Sequence, residues 1–251
     1  MKLVSWNCNG ALRKKTASLD AIDADIFVIQ ECENPDTSTT QYKQWAGDYL
    51  WVGTNKNRGL GVFARKQNVL TELDWRGEHV FKGSVSNHRS LTWSSSDLQS
   101  FLPCKINGKF TVVGVWTKQN SSPNFRYIGQ FWKYLQVNKQ RLSGHKTILC
   151  GDFNSNTIWD EPDRWWNHSD VVSELDEMGI HSIYHSQSGF PQGQERTPTF
   201  YMHRKLEKPY HIDYAFVSHD LLGGSMIEFG NPHEWLAYSD HVPLFIEVGE
   251  V

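Results

Sequence analysis

The chain has 251 residues, of which 39% are apolar and 21% charged, and its formal net charge is −3. This composition excludes a disordered polyelectrolyte and suits a globular protein with a large core. No apolar run approaches the roughly 20 residues that span a bilayer, so no membrane insertion is expected. The negative charge removes any global basic signature of nucleic-acid binding and leaves only a local cationic patch open.

The opening segment MKLVSWNCNG reads as a first strand, not as a basic stretch with an apolar stretch and cleavage site behind it, and a cytoplasmic protein is expected. Further apolar runs of strand length follow: residues 25–30, 61–64, 110–116, 147–150, 212–217 and 244–248 after the first at 3–8. Between them two helices are predicted. In Asn124–Leu142 the residues Phe125, Ile128, Trp132, Leu135 and Leu142 share one face. In Ser169–Gly179, Ser169 can cap the N-terminus, Val171, Val172, Leu175 and Met178 form a stripe, and Gly179 can cap the C-terminus. The polar segments 34–44, 94–102 and 186–197 read as surface loops. No repeat or linker divides the chain, which predicts one domain over residues 1–251 and a monomer. The cysteines Cys8, Cys32, Cys104 and Cys150 show no paired spacing and read as free thiols. The 11 tryptophans are core residues, with a few available on a rim to stack on bases.

Chemistry gathers at the ends of the runs. Residues 3–8 lead into Asn7 and Asn9. The second run ends in Gln30-Glu31, and the fifth in Gly151-Asp152-Phe153-Asn154. His211 and Asp213 flank Ile212, and Ser239-Asp240-His241 precedes the last run. Carboxylates and carboxamides at strand ends converge on one sheet edge, where they can hold a hard cation that wants oxygen ligands.

Taken singly, each of these is a common strand end. As an ordered set they resemble the endonuclease/exonuclease/phosphatase superfamily, which includes exonuclease III, AP endonucleases, DNase I, sphingomyelinases and inositol-phosphate 5-phosphatases. The resemblance runs from residue 5 to 243. It implies an α/β fold, a sandwich of two mixed β-sheets flanked by helices in four layers, as in DNase I. It also implies hydrolysis of a phosphodiester by a metal- and Asp-activated water. By position, Glu31, Asn9 and Asp240 would hold Mg²⁺, with Mn²⁺ as a substitute, and Asn7 would support Glu31. Asp152 would activate water, Asn154 would hold Asp152, and Asp213 would orient His241 at the scissile phosphate. A cation and imidazolium are the groups that offset charge developing on phosphate oxygens.

The chain departs from the AP endonuclease pattern at three places. Glu33 stands where those enzymes carry a lysine, and extra negative charge near a phosphate costs Coulomb energy. Trp116 stands near their leaving-group tyrosine and has no proton to give an alkoxide. His211 replaces an arginine. Lys118 either stabilises a leaving group or is a solvated loop lysine. Arg13, Lys14 and Lys15 resemble the entry segment of exonuclease III and could meet backbone phosphates, or form a solvated helix start. Phe200, Tyr210 and Ile212 match positions that line a sugar pocket in AP endonucleases, or are core. The expected function is a DNA-acting nuclease with nucleic acid as its partner. The alternative is a phosphatase or phosphodiesterase acting on a small-molecule or lipid phosphoester.

Overall fold

In the computed structural model, residues 1–82, 90–119 and 124–249 are described. Two six-stranded mixed sheets stack face to face. The first runs, edge to edge, Ser225–Phe229, Leu244–Val248, Lys2–Asn7, Ile26–Cys32, Arg58–Ala64 and Tyr49–Asn55. The second runs Ile180–Ser182, Asp213–Ser218, Thr147–Asp152, Phe110–Trp116, Phe101–Ile106 and Leu70–Glu72. Each has a parallel pair at its centre, Lys2–Asn7 with Ile26–Cys32 and Phe110–Trp116 with Thr147–Asp152.

The runs are continuously apolar because both faces of each central strand are covered. Leu3, Ile26, Val28, Val112, Ile148 and Val217 point into the space between the sheets. Val4, Trp6, Phe27 and Ile29 point outward onto a layer that holds Leu12, Leu19, Tyr42 and Trp235. Val113, Val115, Leu149 and Phe216 point outward onto the helices Ile128–Leu142 and His168–Glu177. The result is the four-layer α/β sandwich expected. The sheets approach closely at Gly114, where a Cβ would lie 3.0 Å from Val28 Cγ1 on the facing sheet. All four cysteines are free and buried. Among the described residues no helix is long and apolar enough to cross a membrane.

Several boundaries differ from the sequence reading. The first long helix starts at Ile128, not Asn124, because Tyr127 has φ 49°, outside the helical region. The stripe misleads there: Phe125 packs on Trp132 and Trp166 from an irregular turn. The second helix is capped by Asn167 instead of Ser169, in a reciprocal box with Asp170. Two expected loops contain helix, at Thr40–Ala46 and Ile183–Ser188, and a third contains the start of the strand Phe101–Ile106. The polar helix Thr40–Ala46 is held by packing of Tyr42 and Ala46 and by a Thr39 cap, which composition alone does not reveal.

Candidate active site

The two parallel pairs end at the same end of the sandwich, and their last residues carry the polar groups. Asn7 closes one strand and Asp152 another. Asn7 Nδ2 donates to Asp152 Oδ2 at 2.8 Å, bridging the two sheets, and lies 3.3 Å from Glu31 Oε1. Its Oδ1 accepts from the Asn9 backbone N–H at 3.0 Å, which places Asn9 at the same corner. Glu31 has φ 62° and sits where the register slips between Gln30 and Cys32. An inserted residue of this kind re-aims a side chain, here toward Asn7.

Asp152 lies directly opposite Asp213 in the antiparallel ladder. Facing like charges destabilise a sheet unless something stands between them. That something is His241. Its Nδ1 donates to Asp213 Oδ2 at 2.9 Å and its Nε2 lies 4.0 Å from Asp152 Oδ2. All three are buried. Burial first, and Asp213 second, push the Asp152 carboxyl up, while His241 and the Asn7 amide pull it back. Burial works against the His241 imidazolium, but Asp213 and Asp152 outweigh it and the net shift is upward. Asn154, in the left-handed region at φ 45°, donates its backbone N–H to Asp152 Oδ1 and its Nδ2 to Oδ2, both at 2.8 Å. Asp152, Asp213 and His241 have ligand atoms within 4.8 Å of one another, a spacing compatible with an ion.

Two residues to which the sequence reading gave no role hold this arrangement. Ser239 Oγ donates to the Asn7 carbonyl at 2.7 Å and accepts from the His241 N–H at 3.1 Å. Thr199 Oγ1 accepts from the N–H groups of both Ile212 and Asp213 at 3.0 Å. Their neighbours in the sequence, Asp240-His241 and Phe200, gave the signal. Asp240 sits beside the centre with Ser239 Oγ 3.4 Å from its Oδ1.

Gly151 has φ 150°, and a Cβ there would lie 1.9 Å from the Val115 carbonyl oxygen. Gly151→Ala is therefore expected to push apart the pair that aims Asp152, at a cost on the order of 3 kcal/mol. An unchanged urea midpoint would refute this.

The expected substrate contacts are divided by the structure. Phe200 and Tyr210 face each other across a short ladder, and Phe200 lies 4.7 Å from the His241 ring. Trp116 is buried under the Lys118 ammonium, 4.7 Å from its ring. His211 and Ile212 are buried behind the site: the His211 ring bonds the Thr197 carbonyl at 2.6 Å. The basic run is mostly committed to the fold. Arg13 Nη1 pairs with Glu33 Oε1 at 2.6 Å, and Glu33 Oε2 also accepts from the Leu12 N–H at 2.7 Å. Lys15 Nζ donates to the carbonyls of Cys8 and Gly10. Glu33 thus anchors a turn and does not project toward a phosphate, and of the three cations only Lys14 makes no ion pair or hydrogen bond with its side chain among the described residues. Arg58 Nη1 lies 2.9 Å from Glu31 Oε2.

Near the centre is a partly buried polar network. Glu195 binds His185 Nε2 at 3.1 Å and Asn156 Nδ2 at 3.1 Å, and His168 Nε2 meets Gln192 Oε1 at 3.2 Å. Burial pushes His168 down from 6.5 to about 4. The folded protein therefore holds His168 neutral at a pH where the unfolded chain has taken up a proton. Its contribution to stability is complete above about pH 6.5 and is lost as pH falls toward 4. About 3 kcal/mol of the acid-induced loss should disappear in His168→Gln, read as unfolding free energy against pH. An identical pH dependence in the variant would exclude His168 as its source.

A family model for the endonuclease/exonuclease/phosphatase family matches residues 4–241. This chain belongs to that family. Among solved structures similar to this family member is the 3′-5′ exonuclease NExo from Neisseria meningitidis, at 17% identity and a TM-score of 0.68 over 99% of both chains. A structure of the 3′ phosphatase NExo from Neisseria, bound to a product DNA hairpin, gives 18%, 0.68 and 99% of both chains. An AP endonuclease from Archaeoglobus fulgidus gives 17%, 0.63 and 99% of both chains. At these identities the likeness is one of fold. No curated protein matches the chain.

Proposed function

We propose that this family member hydrolyses phosphodiester bonds of a nucleic-acid strand, with Mg²⁺, or Mn²⁺ in its place, as the ion. The observation that carries the reading is the hydrogen-bonded unit in which Asn7 Nδ2 joins Glu31 to Asp152 while His241 Nε2 lies 4.0 Å from Asp152. It sets an anionic oxygen, a buried carboxylate and an imidazolium around one point.

The residues present fit a hard cation. Glu31 Oε2 is buried and has no aligned hydrogen bond among the described residues, although Arg58 stands 2.9 Å away. Together with the Asn9 carboxamide and Asp240 it offers oxygen donors only. A divalent ion held there would offset charge on a non-bridging phosphate oxygen and would make water more acidic. The Asp152–Asp213–His241 cluster suits an ion less well, since a protonated His241 has no lone pair to give.

Asp152 accepts the proton of the attacking water, and its raised affinity for a proton makes it a better base than a solvated carboxylate. The two Asn154 donors fix both of its oxygens. His241, held by Asp213, donates toward the phosphate oxygens, which gain charge in the transition state, while the P–O bond opposite the attacking water breaks and the leaving alkoxide takes a proton from solvent. The aromatic edge of Phe200 and Tyr210 beside His241 suits the sugar and base of a nucleotide. The DNA hairpin on the Neisseria protein supports a nucleic-acid substrate for the same fold.

Labelled DNA and RNA oligonucleotides incubated with Mg²⁺, and bound in Ca²⁺ without turnover, test the proposal. Cleavage of at least one oligonucleotide is expected, together with binding that weakens steeply as salt rises, by about 0.7 to 0.9 log units per log unit of salt for each phosphate contact. Turnover of a small phosphoester with no oligonucleotide cleavage would favour the phosphatase reading, which the commitment of Arg13 and Lys15 to the fold otherwise supports.

A further inference from the structure

Beside the reaction centre lies a cavity of about 380 Å³ whose wall includes Asn154. Tyr127 and Trp159 stand on its rim, 39% and 46% exposed. Arg126 and Arg164 also line it, are exposed, and have no acidic partner among the described residues. The one carboxylate on the lining, Asp160, is already used: its two oxygens accept from the N–H groups of His168 at 2.9 Å and Ser169 at 3.1 Å. His168, on the floor, is 2% exposed and its Nδ1 has no hydrogen-bond partner among the described residues. The Trp159 ring also lies 5.4 Å from Tyr210, so an aromatic series runs from Phe200 at His241 to the cavity mouth.

Two uncommitted guanidiniums on a net-negative protein select an anion. Two exposed aromatic rings select a flat partner, because every base presents a π-face. The volume is within the range of small-ligand sites. A base stacked inside a duplex cannot enter such a hollow.

We propose that this cavity receives an unpaired nucleotide of the substrate strand adjoining the scissile phosphate, with its base against Tyr127 and Trp159 and its phosphate on Arg126 and Arg164. The proposal rests on the nuclease reading, since a small ester has no strand to place there. It makes a single-stranded or locally opened strand the substrate.

The test compares two oligomers of equal length and charge, oligothymidylate and a base-free tetrahydrofuran phosphate chain, binding to the full chain in Ca²⁺. The native protein is expected to bind oligothymidylate about tenfold or more tightly than the base-free chain. Tyr127→Ala with Trp159→Ala should erase that preference, and Trp159→Phe alone should keep it. Arg126→Gln with Arg164→Gln should weaken both oligomers and flatten the salt slope by about one to two units. Turnover of a chromogenic phosphodiester should remain unchanged in every variant, because none of these side chains is in the reaction centre. Equal binding of the two oligomers, alongside intact oligonucleotide cleavage, overturns the cavity assignment and leaves the nuclease reading standing. Failure to bind either oligomer while the small ester is turned over overturns both. Displacement by thymidine 5′-monophosphate at the oligomer's own concentration would make the ligand a free nucleotide and overturn the proposal as well.

Discussion

Asp152→Asn is expected to lower kcat on a phosphodiester by at least about 100-fold, and His241→Ala by a similar factor, the scale of a positioned base and of a group that offsets transition-state charge. Asparagine keeps the volume of Asp152 but removes its charge and its capacity to take a proton, and it presents an amide where Asn7 and Asn154 already donate. His241→Ala removes the group between two carboxylates that face each other across the ladder. The double variant should lose less than the product of the two factors, because both residues serve one transition state. Circular dichroism and a thermal melt separate this from misfolding. Full multiplicativity in a folded double variant would mean that the two residues do not serve one transition state.

The second large effect is expected at Glu31. Glu31→Ala should abolish metal-dependent turnover while leaving the melt within a few degrees of the native one. Its side chain stands at a bulge, bound to Asn7 at 3.3 Å and next to Arg58, and adds nothing to any of the three apolar clusters. Direct binding of Mn²⁺, followed by its paramagnetic effect on water relaxation, should weaken in parallel. Turnover restored to the native rate by excess Mg²⁺ would show that the ion is held elsewhere, with the Asp152–Asp213–His241 cluster a candidate among the described residues.

The central strands were legible because burial on both faces leaves only one kind of residue to choose from. Leu3–Cys8 and Asp25–Gln30 read as strands without any knowledge of their partners. The edge strand Tyr49–Asn55 was not legible, since its half-exposed residues carry no such constraint. The helix at Thr40–Ala46 hid for a related reason: two buried side chains and a cap hold it, too few to make a stripe. At the site, Asp152, Asn154, Asp213 and His241 could be placed because they close or open apolar runs. The roles of the cations could not. Arg13 and Lys14 are adjacent in sequence and equally basic, yet one is tied to Glu33 and the other is not. That difference depends on where Glu33 points after the bulge, which no spacing rule records. The histidines show the same limit. His211 and His241 each sit near the Asp213 strand, but one faces Thr197 in the interior and the other faces Asp152.

The Asn7 amide joins residues that belong to different sheets, so the chemistry spans a seam between two layers. Neither layer contains all the residues of the proposed site. Glu31 arrives with one and Asp152 and Asp213 with the other, so the arrangement depends on how the two layers align. The rate of the proposed reaction is thus expected to be a finer gauge of how the layers are aligned than a probe of the core. In mild denaturant the rate should begin to fall before tryptophan fluorescence moves, and crosslinking the layers far from the site should postpone that early loss.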